Sequence, residues 1–98
     1  MWNIPRVIES FGDKETEKLW RGQRTRLPTG LLLRATDKLN LLDAATTLDT
    51  LRIPPSKRLE ALKGNRAGQH SIRINDQWRI CFRWQDSNAH QVSITEYH

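Results

Sequence analysis

Cysteine, tyrosine, methionine and long apolar runs are scarce in this 98-residue chain. The single cysteine, Cys81, excludes an internal disulfide framework and a cysteine-rich zinc site. The most apolar stretch, 31–51, is interrupted by charged residues, which excludes a transmembrane helix there. The first six residues lack the apolar core of a signal peptide. We therefore expect a single domain spanning residues 1–98, located in the cytoplasm and without a membrane partner.

Signatures of metal, nucleotide and covalent catalysis are also missing. The three histidines, His70, His90 and His98, show no metal-ligand spacing. The segment 64–68 contains two glycines but lacks the Lys-Ser/Thr ending of a phosphate-binding loop. No serine or cysteine triad is recognisable. The expected protein uses neither a metal ion nor an organic cofactor.

Positive charge is concentrated in one part of the chain. The net charge is +5, and the segment 52–83 holds eight basic residues against Glu60 and Asp76. The rest of the chain is therefore slightly acidic. A basic segment in a protein whose other charges nearly cancel favours a polyanionic partner, and nucleic acid is the first candidate. The alternative is an ordinary solvated surface.

Two helices are predicted in the first half of the chain. Residues 7–11 read as a short opening strand, after which Asp13 caps a helix that ends at Gly22. A longer helix opens at Pro28 or Thr29. Apolar residues recur along it at spacings of three and four: Leu32, Ala35, Leu39, Leu42 and Ala45, widened by Leu31, Leu41 and Leu48. This stripe predicts a helix that covers a sheet.

The second half changes to a period-two pattern after the break at 54–55, where two prolines stand. A short strand or irregular arm is expected within 57–64. Turns at 75–77 and 86–88 then separate three alternating strands with one apolar face: Ile72, Ile74, Trp78, Ile80, Phe82, Trp84, Val92 and Ile94. The expected fold class is α+β, with two N-terminal helices packed on a small, mainly antiparallel twisted sheet.

The alternation gives the sheet a second, polar face that we expect to be uncovered: Arg73, Arg79, Cys81, Arg83, Ser93, Thr95 and Tyr97. Arginines on adjacent strands repel each other unless an anion lies among them, and the guanidinium fork matches phosphate oxygens. The alternative is that each arginine pairs with a nearby acid such as Asp76, Asp86 or Glu96. We prefer local pairing for Arg83 and a functional role for Arg73 and Arg79.

The last three residues complete a set of groups suited to cutting RNA. Metal-free cleavage needs a base for the ribose 2′-hydroxyl, an acid for the leaving 5′-oxygen, and cations for the charge on phosphorus. His98 can carry a proton near neutral pH, and Tyr97 offers a hydroxyl or a ring on which a base stacks. Glu96 is a candidate base, although parity directs it away from Tyr97.

Five segments carry a family resemblance. They are Ile-Glu-Ser-Phe at 8–11, Pro-Pro at 54–55, Arg-Leu-Glu-Ala-Leu-Lys-Gly at 58–64, the run 68–82, and Glu-Tyr-His at 96–98. Together they resemble the HigB-type toxins of the RelE/ParE toxin–antitoxin superfamily. The resemblance implies a RelE-like α+β fold. It also implies a metal-independent endoribonuclease that cleaves translated mRNA in the ribosomal A site and so inhibits translation and growth.

The resemblance also implies roles for individual residues. Arg79 resembles the strand arginine that stabilises the cleaved phosphate, and Tyr97 and His98 match the C-terminal pair of the active centre. Glu96 stands where relatives usually carry aspartate. Glu60 stands where some relatives carry histidine, so a mechanism with two histidines is disfavoured and His98 becomes the main candidate for proton transfer. With Arg73 added from the polar face, the predicted catalytic set is Arg73, Arg79, Glu96, Tyr97 and His98. The implied RNA-binding set is Lys57, Arg58, Glu60, Lys63 and Arg66.

The implied partners are the ribosome, mRNA and a helix-turn-helix antitoxin similar to HigA. Operator DNA is expected to be bound only through the antitoxin complex. Two alternatives stay open. One is a toxin of the same fold that acts on a protein such as DNA gyrase, against which the grouping of Arg79, Tyr97 and His98 argues. The other is a non-catalytic RNA- or DNA-binding module, for which the basic block would suffice.

Overall fold

The computed structural model describes residues 6–52 and 59–97 of the chain. Within these ranges, two α-helices and a four-stranded antiparallel sheet form the main elements, which confirms the α+β prediction. The sheet order follows the chain order. The elements are α1 (Lys14–Trp20), α2 (Leu32–Asp43), β1 (Glu60–Ala61), β2 (Gln69–Arg73), β3 (Trp78–Gln85) and β4 (Asn88–Glu96). No helix within the described ranges is long and apolar enough to span a membrane.

The segment 7–12 runs alongside β4 as a parallel neighbour. Ile8 and Phe11 form isolated bridges to β4, so the predicted opening strand is present as a pairing at the sheet edge. The side chain of Asp43, the last residue of α2, accepts hydrogen bonds of 3.0 Å from the N–H groups of Val7 and Ile8. This carboxylate joins the end of α2 to the edge of the sheet.

The first helix begins at its predicted cap. The side chain of Asp13 accepts a hydrogen bond from the Thr16 N–H, and Gly22 follows the helix with φ of 73°, a conformation that glycine adopts without strain. Thr16 is fully buried, and its Oγ1 accepts a 2.9 Å hydrogen bond from the N–H of Ile94 in β4. A polar contact that apolar periodicity does not reveal therefore fixes α1 to the sheet.

The second helix begins later than predicted. A 3-10 turn, Thr29–Leu31, follows Pro28 and leads into α2 at Leu32. Most of the apolar stripe is buried as expected: Leu31, Ala35, Leu39, Leu42 and Ala45. The inclusion of Leu41 in the buried stripe was wrong, since it is 40% exposed, and Leu33 is 76% exposed. The outer side of α2 thus carries two exposed leucines.

The core lies between the helices and one face of the sheet, as the alternation predicts. Its buried sheet residues are Ile72, Ile74, Ile80, Phe82, Val92 and Ile94. Trp78 and Trp84 are half-buried against this cluster. The predicted turn at 86–88 is also confirmed, because Asp86 and Ser87 have φ of 53° and 64°, as a two-residue type I′ hairpin turn requires.

The middle of the polar face is buried, whereas we expected the whole face to be uncovered. Ser71 and Cys81 lie on it and are fully buried. They oppose each other in neighbouring strands, between the opposed pairs Arg73–Arg79 and Gln69–Arg83. Short side chains in the middle of the face are therefore flanked by rows of long ones. Cys81 is a free, fully buried cysteine that fills space as a small side chain.

Candidate active site

The side chains of the polar face around the candidate site form two neighbouring rows. Directly opposed residues of an antiparallel sheet share a face, so the register shows which side chains adjoin. The first row crosses all four strands: Glu60, Ser71, Cys81 and Ser93. The second row contains Arg73, Arg79 and Thr95. The two arginines predicted to be functional are thus direct cross-strand neighbours.

The side chain of Arg79 lies over the ring of Tyr97. The guanidinium carbon is 4.8 Å from the ring centroid, which is a cation–π contact. The backbone N–H of Tyr97 donates a 2.7 Å hydrogen bond to the Gln77 carbonyl, which anchors the residue directly after β4. The Nε of Arg79 is buried and has no hydrogen-bond partner among the described residues. Buried donors are nearly always paired. The unpaired Nε of Arg79 is therefore a donor that can form a hydrogen bond with a bound anion.

Arg73 forms an ion pair with Asp76 in the turn between β2 and β3. This is the local pairing that the sequence offered as the alternative to a functional role. The side chain of Asp76 is 94% exposed, so solvent screens the pair and its contribution to stability is small. A phosphate group can therefore compete with Asp76 for the same guanidinium.

A shallow cavity of about 250 Å³ opens beside these residues. It is lined by Glu60, Arg73, Asp76 and Tyr97. The cavity brings together a cation, a phenol and two carboxylates. We call it the arginine–tyrosine cavity. Its size and openness suit a single phosphodiester group of a longer strand.

Glu96 lies apart from this cavity. It opposes Trp78 in the register, which places it on the apolar side of the sheet. Its carboxylate accepts a 2.9 Å hydrogen bond from the side chain of Gln77. Of the two glutamates, Glu60 rather than Glu96 is therefore the one that lines this cavity with Arg73, Asp76 and Tyr97, and its position depends on the short pairing of β1 with β2.

Arg83 has a local partner, although not an acid. It is exposed, and its Nε donates a 3.0 Å hydrogen bond to the side-chain oxygen of Gln91. Gln91 has a φ of 53°, and a register shift between β3 and β4 lies opposite it. Such a bulge turns the local side chains away from the regular ladder. Arg83 thus does not line the arginine–tyrosine cavity.

Two of the predicted RNA-binding residues, Lys63 and Arg66, lie in the connection from β1 to β2. Lys63 is exposed just before the 3-10 turn Gly64–Arg66. Arg66 is half-buried and donates a 3.3 Å hydrogen bond to the Gln69 side chain. Three predicted site residues lie outside the described part of the chain: Lys57, Arg58 and His98.

His70 belongs to the opposite face. Its ring stacks on Phe82 with the centroids 6.2 Å apart, and its buried Nδ1 has no hydrogen-bond partner among the described residues. Burial, and then the positive charge of Arg52, lowers the pKa of His70 below its ordinary value. In the portion of the chain that is described, no cluster of three or more His, Cys, Asp or Glu side chains is arranged to hold a metal ion.

Sequence comparison finds relatives over nearly the whole chain. A family model described as "RelE-like toxin of type II toxin-antitoxin system HigB" matches residues 9–98. The protein named Toxin HigB-1 of Vibrio cholerae serotype O1 is 40% identical over 81 residues, which cover 81% of this chain and 85% of the relative. The protein named Endoribonuclease HigB of Proteus vulgaris is 32% identical over 93 residues, or 94% of this chain and 100% of the relative.

Structural comparison finds the same fold at lower sequence identity. A mutant of YafQ from E. coli superposes with a TM-score of 0.62 and 17% identity, covering 93% of this chain and 92% of the other. A chain of the YoeB–YefM complex from Staphylococcus aureus gives a TM-score of 0.55 and 19% identity, covering 93% and 97%. At these identities, the likeness concerns the fold alone.

Proposed function

This chain belongs to the HigB-like family of RelE-like type II toxins, and we propose that it is a metal-independent endoribonuclease that cleaves translated mRNA in the ribosomal A site. Cleavage there inhibits translation and growth. The observation that carries the proposal is Arg79, which lies beside Arg73 and over Tyr97 with a buried, unpartnered Nε. The relative named Endoribonuclease HigB supports the same activity.

Arg79 and Arg73 are the groups that bind the scissile phosphate in this proposal. Negative charge grows on the phosphoryl oxygens as the 2′-oxygen attacks, and two guanidinium groups on adjacent strands stabilise that charge. The ring of Tyr97 holds the guanidinium of Arg79 in position and brings an aromatic surface to the cavity on which a base can stack.

Glu60 is the group that we assign to accept the proton of the ribose 2′-hydroxyl. It lines the arginine–tyrosine cavity, whereas Glu96 lies on the other side of the sheet. The 2′-oxygen then attacks phosphorus, a 2′,3′-cyclic phosphate forms, and the bond to the 5′-oxygen breaks. His98, which matches the C-terminal Tyr-His pair of the family, donates a proton to that leaving oxygen.

The proposed partners follow from the family and the activity. We expect the toxin to act on mRNA bound to the ribosome in the cytoplasm, and a HigA-like helix-turn-helix antitoxin to neutralise it. Operator DNA is bound only through the antitoxin complex. Membership of a type II toxin–antitoxin family supports the antitoxin, and the basic block around Lys63 and Arg66 supports the RNA partners.

The test is cleavage of a defined mRNA on purified programmed ribosomes, read as cut sites by primer extension. Arg79→Ala should abolish the cuts. Arg83→Ala is the matched control, since it removes an exposed arginine of the same strand that bonds Gln91, whereas Arg79 lies over Tyr97, and it should cut normally. Growth arrest by the wild-type protein without mRNA cuts would overturn the nuclease and favour a protein target such as DNA gyrase.

A further inference from the structure

A groove between α2 and the β2–β3 turn adjoins the arginine–tyrosine cavity. It encloses about 740 Å³. Its main lining residues are Arg34, Asp37, Lys38 and Leu41 from α2, with Arg73 from β2 and Asn75 from the β2–β3 turn. Arg73 also lines the arginine–tyrosine cavity, so the two depressions meet at one side chain. We call this second depression the α2 groove.

The α2 groove has an excess of positive charge. Arg34 and Lys38 form no ion pair with any described residue, although Asp37 stands beside them. The excess remains even when Arg73 is counted as neutralised by Asp76. Arg34 and Lys38 are four residues apart, so they occupy the same side of the helix, separated along its axis by about 6 Å. Two cations at this spacing suit consecutive phosphates of one strand.

A strand cut in the arginine–tyrosine cavity must continue beyond the scissile phosphate. The α2 groove offers a continuous path for it, because both depressions share Arg73. Leu41, which is 40% exposed at the groove, provides an apolar surface for a ribose or base. We infer that the α2 groove binds the backbone of the RNA strand next to the cleavage site, with Arg34 and Lys38 contacting consecutive phosphates.

This inference rests on the proposed function and extends it to residues outside the basic segment 52–83. It is tested with single-stranded RNA in which every nucleotide carries a 2′-O-methyl group, so that no 2′-hydroxyl is available to attack and no bond is cleaved. Two probes are compared by fluorescence anisotropy over a series of salt concentrations, one of about three nucleotides and one of about ten, the latter within the range that single-strand binding sites cover.

The wild-type protein should bind the long probe more tightly than the short one. The double variant Arg34→Gln/Lys38→Gln should lose most of that advantage and bind the short probe normally. Its slope of log affinity against log salt should fall by about 1.4 for the long probe, since each phosphate contact to a single strand contributes about 0.7. The control is Lys14→Gln/Arg24→Gln, which removes two exposed basic residues that lie outside the groove and form no ion pair with described residues.

Three results would overturn the inference: equal binding of both probes by the wild type, an equal loss in the control variant, or unchanged RNA binding with weakened binding of the antitoxin. The last result would assign the groove to a protein partner. The ribosomal cleavage assay separates this outcome from the proposed function. If mRNA is cleaved on the ribosome but RNA binding does not depend on the groove, only this inference fails. If RNA binding depends on the groove but no cleavage occurs, only the proposed nuclease activity fails.

Discussion

The guanidinium of Arg79 lies 4.8 Å from the ring centroid of Tyr97, the single tyrosine of the chain. A cation–π contact at a partly exposed site contributes about 0.5–1 kcal/mol, enough to favour one orientation of both side chains. The contact holds the arginine beside Arg73, its neighbour in the register. The ring thus has a positional role that does not depend on its hydroxyl group.

Tyr97→Phe should retain most of the cleavage activity, because it keeps the ring. Tyr97→Ala removes the contact with Arg79 and the stacking surface, and should slow cleavage by about 10- to 100-fold, as expected for the loss of roughly 1–3 kcal/mol of stacking. Single-turnover cleavage of mRNA on programmed ribosomes measures both effects. If the two variants are equally impaired, the hydroxyl group carries the role of Tyr97.

The two candidate carboxylates should respond differently to the same substitution. Glu60→Gln keeps the shape of the side chain but removes its ability to accept a proton, and should slow cleavage by about 10²- to 10⁴-fold. Glu96→Gln should cleave at nearly the wild-type rate, since that side chain bonds Gln77 on the opposite side of the sheet. If Glu96→Gln slows cleavage in the ribosome assay more than Glu60→Gln does, Glu96 is the general base.

Thr16→Val should destabilise the protein by about 1–3 kcal/mol, although it keeps the shape of the side chain. The substitution leaves the N–H of Ile94 buried without its acceptor, and an unpaired buried donor carries its full desolvation cost. Thr16→Ser keeps the acceptor and serves as the control. Urea denaturation measures both; equal stabilities would mean that the hydrogen bond has no net effect.

The contrast between Thr16 and the sheet residues indicates how far the sequence predicts this fold. The alternation from Ile72 to Ile94 predicts the two faces because a strand places successive side chains on opposite sides. Nothing local marks Thr16 as an acceptor for a strand some eighty residues later. Its burial follows from tertiary packing of α1 on β4, which periodicity does not specify.

The sequence also predicts part of the candidate site but not all of it. Arg73, Arg79 and Tyr97 were grouped correctly on one face by parity. The position of Glu60 was not predictable, because it depends on the pairing of a two-residue strand with β2. The α2 groove was not predicted either, because Arg34 and Lys38 meet Arg73 only through the packing of α2 on the sheet.

Replacing a core side chain by alanine should lower the free energy of unfolding most where the side chain is fully buried, and less where it is only partly buried. Leu39→Ala and Phe82→Ala should each lower the free energy of unfolding by about 2–5 kcal/mol, since both side chains are almost fully buried. Trp78→Ala should cost less than Phe82→Ala, because Trp78 is only half-buried against the core. Urea denaturation gives the ranking, and a larger loss for Trp78→Ala would contradict the burial described for the sheet.

His70 should make stability depend on pH near neutrality. Burial and the charge of Arg52 lower its folded-state pKa below the ordinary value of 6.5, so protonation favours the unfolded chain. The stability associated with neutral His70 is therefore complete above pH 6.5 and is lost as the pH falls through the lower, folded-state pKa.

Urea denaturation between pH of about 7.5 and about 5.5 tests this dependence. The wild-type protein should lose stability as the pH falls through this range, and His70→Gln should flatten that loss because glutamine does not titrate. His90→Gln is the control, since His90 lies in β4 away from the His70–Phe82 stack, and it should keep the wild-type dependence. A His70→Gln protein that loses stability as steeply as the wild type would show that other groups titrate on unfolding. The burial of His70 would then have no consequence for stability in this range.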